Sequence, residues 1–171
     1  MESNAVSFQV AKEDLASAVS WVARNLPTRP TQPVLRAMLI TADDDGLEIA
    51  GFDYEVSTKV RIPAEIAQPG QIAVAGKLIA DITASMPNKP IQVFLEETMV
   101  QLVCGASRFE LPSIPLDDYP TLPTLPEVTG AINPKLFIEA VTQVAAAAGK
   151  DDTLPMLTGV HMEITGEDVV F

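Results

Sequence analysis

Few side chains in this chain are of a type and spacing that could do chemistry. Asp53, Glu55 and Glu110 are the only material for general acid–base catalysis, and nothing in their spacing pairs them. Asp43-Asp44-Asp45 has the density of a cation loop, but it lacks the alternating oxygen ligands and distal glutamate of a calcium site. A hairpin turn closed by Gly46 accounts for it. Cys104 and His161 are single in the chain, so no Cys–His pair and no metal-spaced set arises from them, and no glycine-rich phosphate loop is present. Cys104 sits in an apolar strand pattern and reads as a buried thiol; His161, on an alternating stretch, reads as a surface or sheet residue. Catalytic residues, metal and cofactor are therefore all expected to be absent. What remains is basic side chains on the helical stretches, Arg24 and Lys77 among them. Their chemistry would be attraction of an anion.

The elements that would position them follow from periodicity. Ser7-Phe8-Gln9-Val10 alternates as a strand. Leu15, Ala18, Val19, Val22, Ala23 and Leu26 then make one apolar helix face, opposite Glu13, Ser17, Ser20 and Arg24. Trp21 lies off the apolar face. Pro27, Pro30 and Pro33 end the helix and impose an extended connector. Apolar stretches follow at 35–41, 47–51 and 56–62. A second helix is expected from Gly76 to Met86 with Lys77 on its polar face, followed by strands at Ile91–Leu95, Met99–Cys104 and Ser107–Leu111. Pro112–Pro126 is rich in proline and reads as an extended linker. Asn133 as N-cap and Pro134 at the first helical position open a third helix, with Phe137, Val141, Val144, Ala145 and Ala148 on its apolar side.

The chain also repeats itself. At one constant offset, Val6 answers to Val128, Ala18-Val19 to Ala140-Val141, and Val22-Ala23 to Val144-Ala145. The register persists through Thr31 and Thr153, Pro33 and Pro155, and Leu35 and Leu157. A fainter echo inside the first copy aligns Phe8 with Ile72, Leu15 with Ile79 and Val22 with Met86. The expectation is a first domain over 1–125 and a linker with the start of a second domain over 126–171. The expected class is α+β, each domain two βαβββ halves with the helices on one side of antiparallel sheets.

Composition sets bounds. The 171 residues carry a formal charge of −12, with acids crowded into likely turns at Asp43–Asp45, Glu96-Glu97 and Asp117-Asp118. Tight phosphate binding is disfavoured by such a balance. No apolar run approaches the about 18 residues of a membrane span, and Met1-Glu2-Ser3-Asn4 lacks the features of a signal peptide. The expected location is cytoplasmic, with no membrane partner.

Four segments carry a resemblance: Arg29-Pro30-Thr31-Gln32-Pro33-Val34-Leu35, Gly51-Phe52-Asp53-Tyr54-Glu55, Ser107-Arg108-Phe109-Glu110-Leu111 with the prolines after it, and Leu154-Pro155-Met156-Leu157-Thr158-Gly159. Together they resemble the bacterial replicative sliding clamps, the β subunits of DNA polymerase III, and the likeness covers the whole chain. The resemblance implies the DNA-clamp fold. Two three-domain subunits would close head to tail, helices inside and sheets outside, around duplex DNA, and tether the replicative polymerase without catalysis. It implies a clamp loader, other clamp-binding proteins and a second clamp subunit as further partners. It implies DNA contact at Arg29, in the loop beyond the first helix. Arg24 and Lys77 would face the inner surface, and Lys150 would occupy the corresponding loop of the second unit. Arg108, Phe109 and Leu111 would form the subunit interface by edge pairing. Leu157 would be one wall of a partner-peptide pocket otherwise built from residues beyond Phe171. On this likeness the chain stops inside its second domain, too short to close an ordinary ring. An acidic adaptor that reuses the fold without encircling DNA is the alternative.

Overall fold

Alternation over Ser7–Val10 gives strand β1, which buries Phe8 and Val10, in a computed structural model that describes residues 6–30, 32–151 and 153–171. The readings that involve Met1–Asn4 and Thr31 lie outside those residues. Helix α1, Lys12–Arg24, follows at once. Its N-cap, Ala11, has no side-chain oxygen to offer, but Glu13 and Asp14 in the first turn and Arg24 in the last complement the helix dipole. The helix is held by its buried face. Leu15, Val19 and Val22 are each 0% exposed, and each buried side chain of this size contributes about 1.5–3 kcal/mol.

Pro33–Arg36 forms a 3-10 turn where the sequence suggested the start of a strand, because Pro33 fixes φ at its first position and Leu35 drops into the core. Strands β2 (Ala37–Asp43), β3 (Gly46–Phe52) and β4 (Ser57–Ile62) then run antiparallel. Gly46 takes φ +114° at the β2–β3 turn, as expected of the Asp43–Gly46 hairpin. The short strand β5 (Glu65–Gln68), between Pro63 and Gly70, was not anticipated. After it come β6 (Gly70–Ala75), α2 (Gly76–Ser85), β7 (Ile91–Glu96), β8 (Met99–Cys104) and β9 (Ser107–Pro112).

The two βαβββ halves interlock. One sheet runs β5-β1-β7-β8-β9 and the other β4-β3-β2-β6, so each half lends its leading strand to the sheet of the other. Both sheets and both helices share one core, in which Phe8, Leu15, Met38, Ile49, Ile79 and Leu102 take part. Cys104 is buried as expected, its thiol donating to the carbonyls of Pro87 at 3.3 Å and Lys89 at 3.4 Å. The proline-rich stretch after β9 is less free than a linker. Ile114 donates to Ala73 O at 2.7 Å, and a 3-10 turn forms over Leu116–Asp118.

The chain divides into two compact units, Met1–Thr124 and Leu125–Phe171. In the second, α3 (Pro134–Ala145) starts as the sequence indicates, with Asn133 Oδ1 accepting from the amides of Lys135 and Leu136. A 3-10 turn at Pro155–Leu157 repeats the one at Pro33–Arg36. The hairpin of β10 (Glu163–Thr165) and β11 (Asp168–Val170) completes the unit. Phe137, Val141, Val144 and Ala148 are half-buried, but Ala145 is exposed and α3 has no fully buried residue. His161 lies outside the strand assigned to it and is exposed.

Candidate nucleic-acid face and sheet edge

Amphipathicity gives α1 and α2 one buried and one open side. On α1, Ser17, Ser20, Trp21 and Arg24 are exposed; on α2, Lys77, Leu78 and Asp81. The two helices pack against each other. The last turn of α1 meets the first turn of α2, where Ala23, Leu26 and Thr28 share a groove with Arg36, Ala75 and Lys77. Arg24 follows Ala23 and Arg29 follows Thr28 in sequence, so Arg24, Arg29 and Lys77 gather at one end of the helix pair. Acids mark the other end of α1, where Glu13 accepts from Asn88 Nδ2 at 2.7 Å. Lys150 is exposed in the second unit, in the segment after α3. This arrangement can attract a polyanion weakly along an open polar surface.

Of the three carboxylates weighed as acid–base material, Asp53 and Glu55 share one turn and Glu110 stands on a strand of another sheet. Asp53 Oδ1 accepts from the amides of Glu55 at 3.0 Å and Val56 at 2.6 Å, which organises the β3–β4 turn and presents Tyr54 at φ +73°. Glu110 lies on β9, in the other sheet. Asp43 forms a two-pronged pair with Arg61, whose Nη2 reaches Oδ2 at 3.0 Å, and that hydrogen-bonded guanidinium holds the carboxyl below its ordinary range. Among the described residues no cluster of three or more His, Cys, Asp or Glu could hold a metal ion. No helix among them is long and apolar enough to cross a membrane.

Among the described residues strand β9 is a sheet edge, paired only to β8. Its outward side is a row of unpaired backbone groups, the usual template for another strand. Arg108 is exposed beside it and Phe109 is half-buried against the core. Leu111 requires a correction. It shares the inward face with Phe109 and is 1% exposed, so its side chain is core and only its backbone is available at the edge. Leu157 is 63% exposed, whereas its repeat partner Leu35 is 2% exposed. The same 3-10 turn thus serves packing in one unit and leaves its leucine open in the other.

A helix layer over antiparallel sheets, repeated along the chain, is the α+β architecture of DNA clamps. Solved structures agree: the sliding clamp of Bacillus subtilis matches with a TM-score of 0.88 at 27% identity, over 93% of this chain and 44% of that one. Residues 6–123 match the family model of the DNA polymerase III beta subunit, N-terminal domain, and residues 131–171 that of its central domain. The chain belongs to the DNA polymerase III beta subunit family. The beta sliding clamp of Streptomyces coelicolor is 46% identical over 96% of this chain and 44% of its own length. That of Micrococcus luteus is 45% identical over 97% of this chain and 54% of its own. The chain thus spans about half the length of these relatives. Their names give no support to the adaptor reading.

Proposed function

We propose that this chain forms the first domain, residues 1–125, and the start of the second, residues 126–171, of a non-catalytic replication processivity clamp. In the closed head-to-tail ring the open faces of α1 and α2 look onto duplex DNA. Arg24, Arg29 and Lys77, with Lys150 from the second domain, centre the duplex without gripping it. The edge of β9, with Arg108 and Phe109, accepts a strand of the second clamp subunit. Leu157 is one wall of the pocket for the replicative polymerase, the clamp loader and other clamp-binding proteins, and the ring works in the cytoplasm. A solved clamp from Pseudomonas aeruginosa, 29% identical to this chain, is described as bound to griselimycin, which suits ligand binding on this fold.

What supports the reading is the sidedness of the helices: buried where they meet the sheets and, apart from Trp21 and Leu78, mainly polar where they face out, with Arg24, Arg29 and Lys77 at one end. A clamp holds DNA by enclosure, so a formal charge of −12 is no obstacle. Strong phosphate binding would instead slow sliding. The test is topological. A preparation carrying this chain through the full length of its relatives is loaded onto nicked circular DNA and passed over a sizing column. It should co-elute with the circle and be lost once the circle is cut. Equal retention on linear and circular DNA, or none on either, would count against enclosure.

A further inference from the structure

The groove between the end of α1 and the start of α2 encloses about 540 Å³, and its floor is apolar. Leu26 forms that floor because two glycines make room for it. A Cβ on Gly51 would lie 2.7 Å from Leu26 Cδ2, and one on Gly76 would overlap Cδ1. Leu78, 44% exposed, rises beside it. The rim is more basic than the chain at large: Arg36 and Lys77 stand against one acid, Asp81, on a chain of formal charge −12. Arg36 is tied at the mouth by a 3.3 Å hydrogen bond from Nη2 to Thr28 O. Ala75 provides no side-chain cap, which leaves amides of the first turn of α2 open toward the same end.

We propose that this groove docks a short partner segment that presents one large aliphatic or aromatic side chain next to a carboxylate. The apolar side chain would lie over Leu26 and against Leu78, where burial is favourable and a sugar–phosphate backbone gains nothing. The carboxylate would meet Arg36, Lys77 and the start of α2, where each such contact at an exposed helix end strengthens binding by about two- to fivefold. The groove lies wholly within the first unit, whereas Leu157 belongs to the second. Lys77 also belongs to the proposed DNA-facing surface, so a segment docked here competes with an enclosed duplex for it.

The test uses the 171-residue chain and three dye-labelled pentapeptides. One has a central leucine flanked by aspartate and glutamate, one carries asparagine and glutamine instead, and one carries two lysines. In low salt the acidic peptide should bind in the high-micromolar range and about fivefold or more tighter than the lysine peptide. Leu78→Glu should weaken it about tenfold, since it removes apolar wall and adds a like charge. Leu78 is exposed, so that variant keeps its fold. Gly76→Ala drives Leu26 into the groove and should weaken binding again, by a route that leaves the rim charge intact. Equal affinity for the three peptides, absence of binding at millimolar peptide, or indifference to Leu78→Glu would overturn the proposal. So would short duplex DNA that binds through Leu78 while the peptides do not.

Discussion

Leu111 separates packing from assembly on a single strand. Its side chain is 1% exposed at the edge of the five-stranded sheet, while Arg108, three residues earlier, is exposed. Leu111→Ala removes three carbons from the core, about 2.4 kcal/mol at about 0.8 kcal/mol per methylene. The cavity left behind brings the total to about 3–4 kcal/mol, within the range for buried leucine truncations. For a unit of this size that lowers Tm by about 10–15 °C. Arg108→Ala touches no core residue and should change stability by less than about 0.5 kcal/mol. Thermal melts followed by circular dichroism measure the first effect, and sedimentation of the assembled clamp measures the second. Leu111→Ala should collapse Tm, whereas Arg108→Ala should leave Tm in place and weaken subunit association. A Leu111→Ala protein that melts within about 2 °C of the parent yet no longer associates would refute the core assignment.

Gly46→Ala should cost about 1–3 kcal/mol in urea denaturation, because the φ of +114° disfavours a side chain and a Cβ would stand 2.6 Å from Ile62 O. Burial pushes the Tyr119 phenol up from 10.0 to about 12, so its neutral form adds stability that is intact below pH 10 and lost as pH rises through about 12. Absorbance at alkaline pH should show one late-ionising tyrosine, and Tyr119→Phe should remove that step with little loss of stability, since the buried hydroxyl has no hydrogen-bond partner among the described residues. Hydrogen exchange should find the α3 amides far less protected than those of α1: Leu136 and Ile138 are 65% and 64% exposed, whereas Leu15 and Val19 are 0% exposed. Equal protection in the two helices would show that 128–171 is stable without further covering.

The legible parts of the fold were those that local chemistry dictates. The apolar spacing of Leu15 to Leu26 marked α1, Asn133-Pro134 marked the start of α3, and Asp43–Gly46 marked a hairpin. The repeat of Pro33 at Pro155 appears in space as two similar 3-10 turns. Pairing between distant segments was not legible. That β1 joins β7 and β6 joins β2 depends on contacts across the whole first unit, and no local pattern encodes it. Strand β5 is too short and too exposed to show a period of two, and one backbone bond from Ile114 docks a segment whose prolines suggested a free linker. At the candidate site, periodicity placed Arg24 and Lys77 on polar faces. It also put Phe109 and Leu111 on a common side without saying which side was core. The groove over Leu26 left only a faint trace, Gly51 and Gly76, whose meaning needs the third dimension.

Photo-crosslinking probes the sidedness of the helices most directly. A photoreactive side chain is placed at Ser20 on the open face of α1 or at Gln92 on the outward face of β7, both exposed, in the assembled clamp on nicked circular DNA. Ser20 should crosslink to DNA of any sequence, and Gln92 should not. Crosslinks from Gln92, or silence from Ser20 while the clamp stays on the circle, would mean that the helices do not face the duplex.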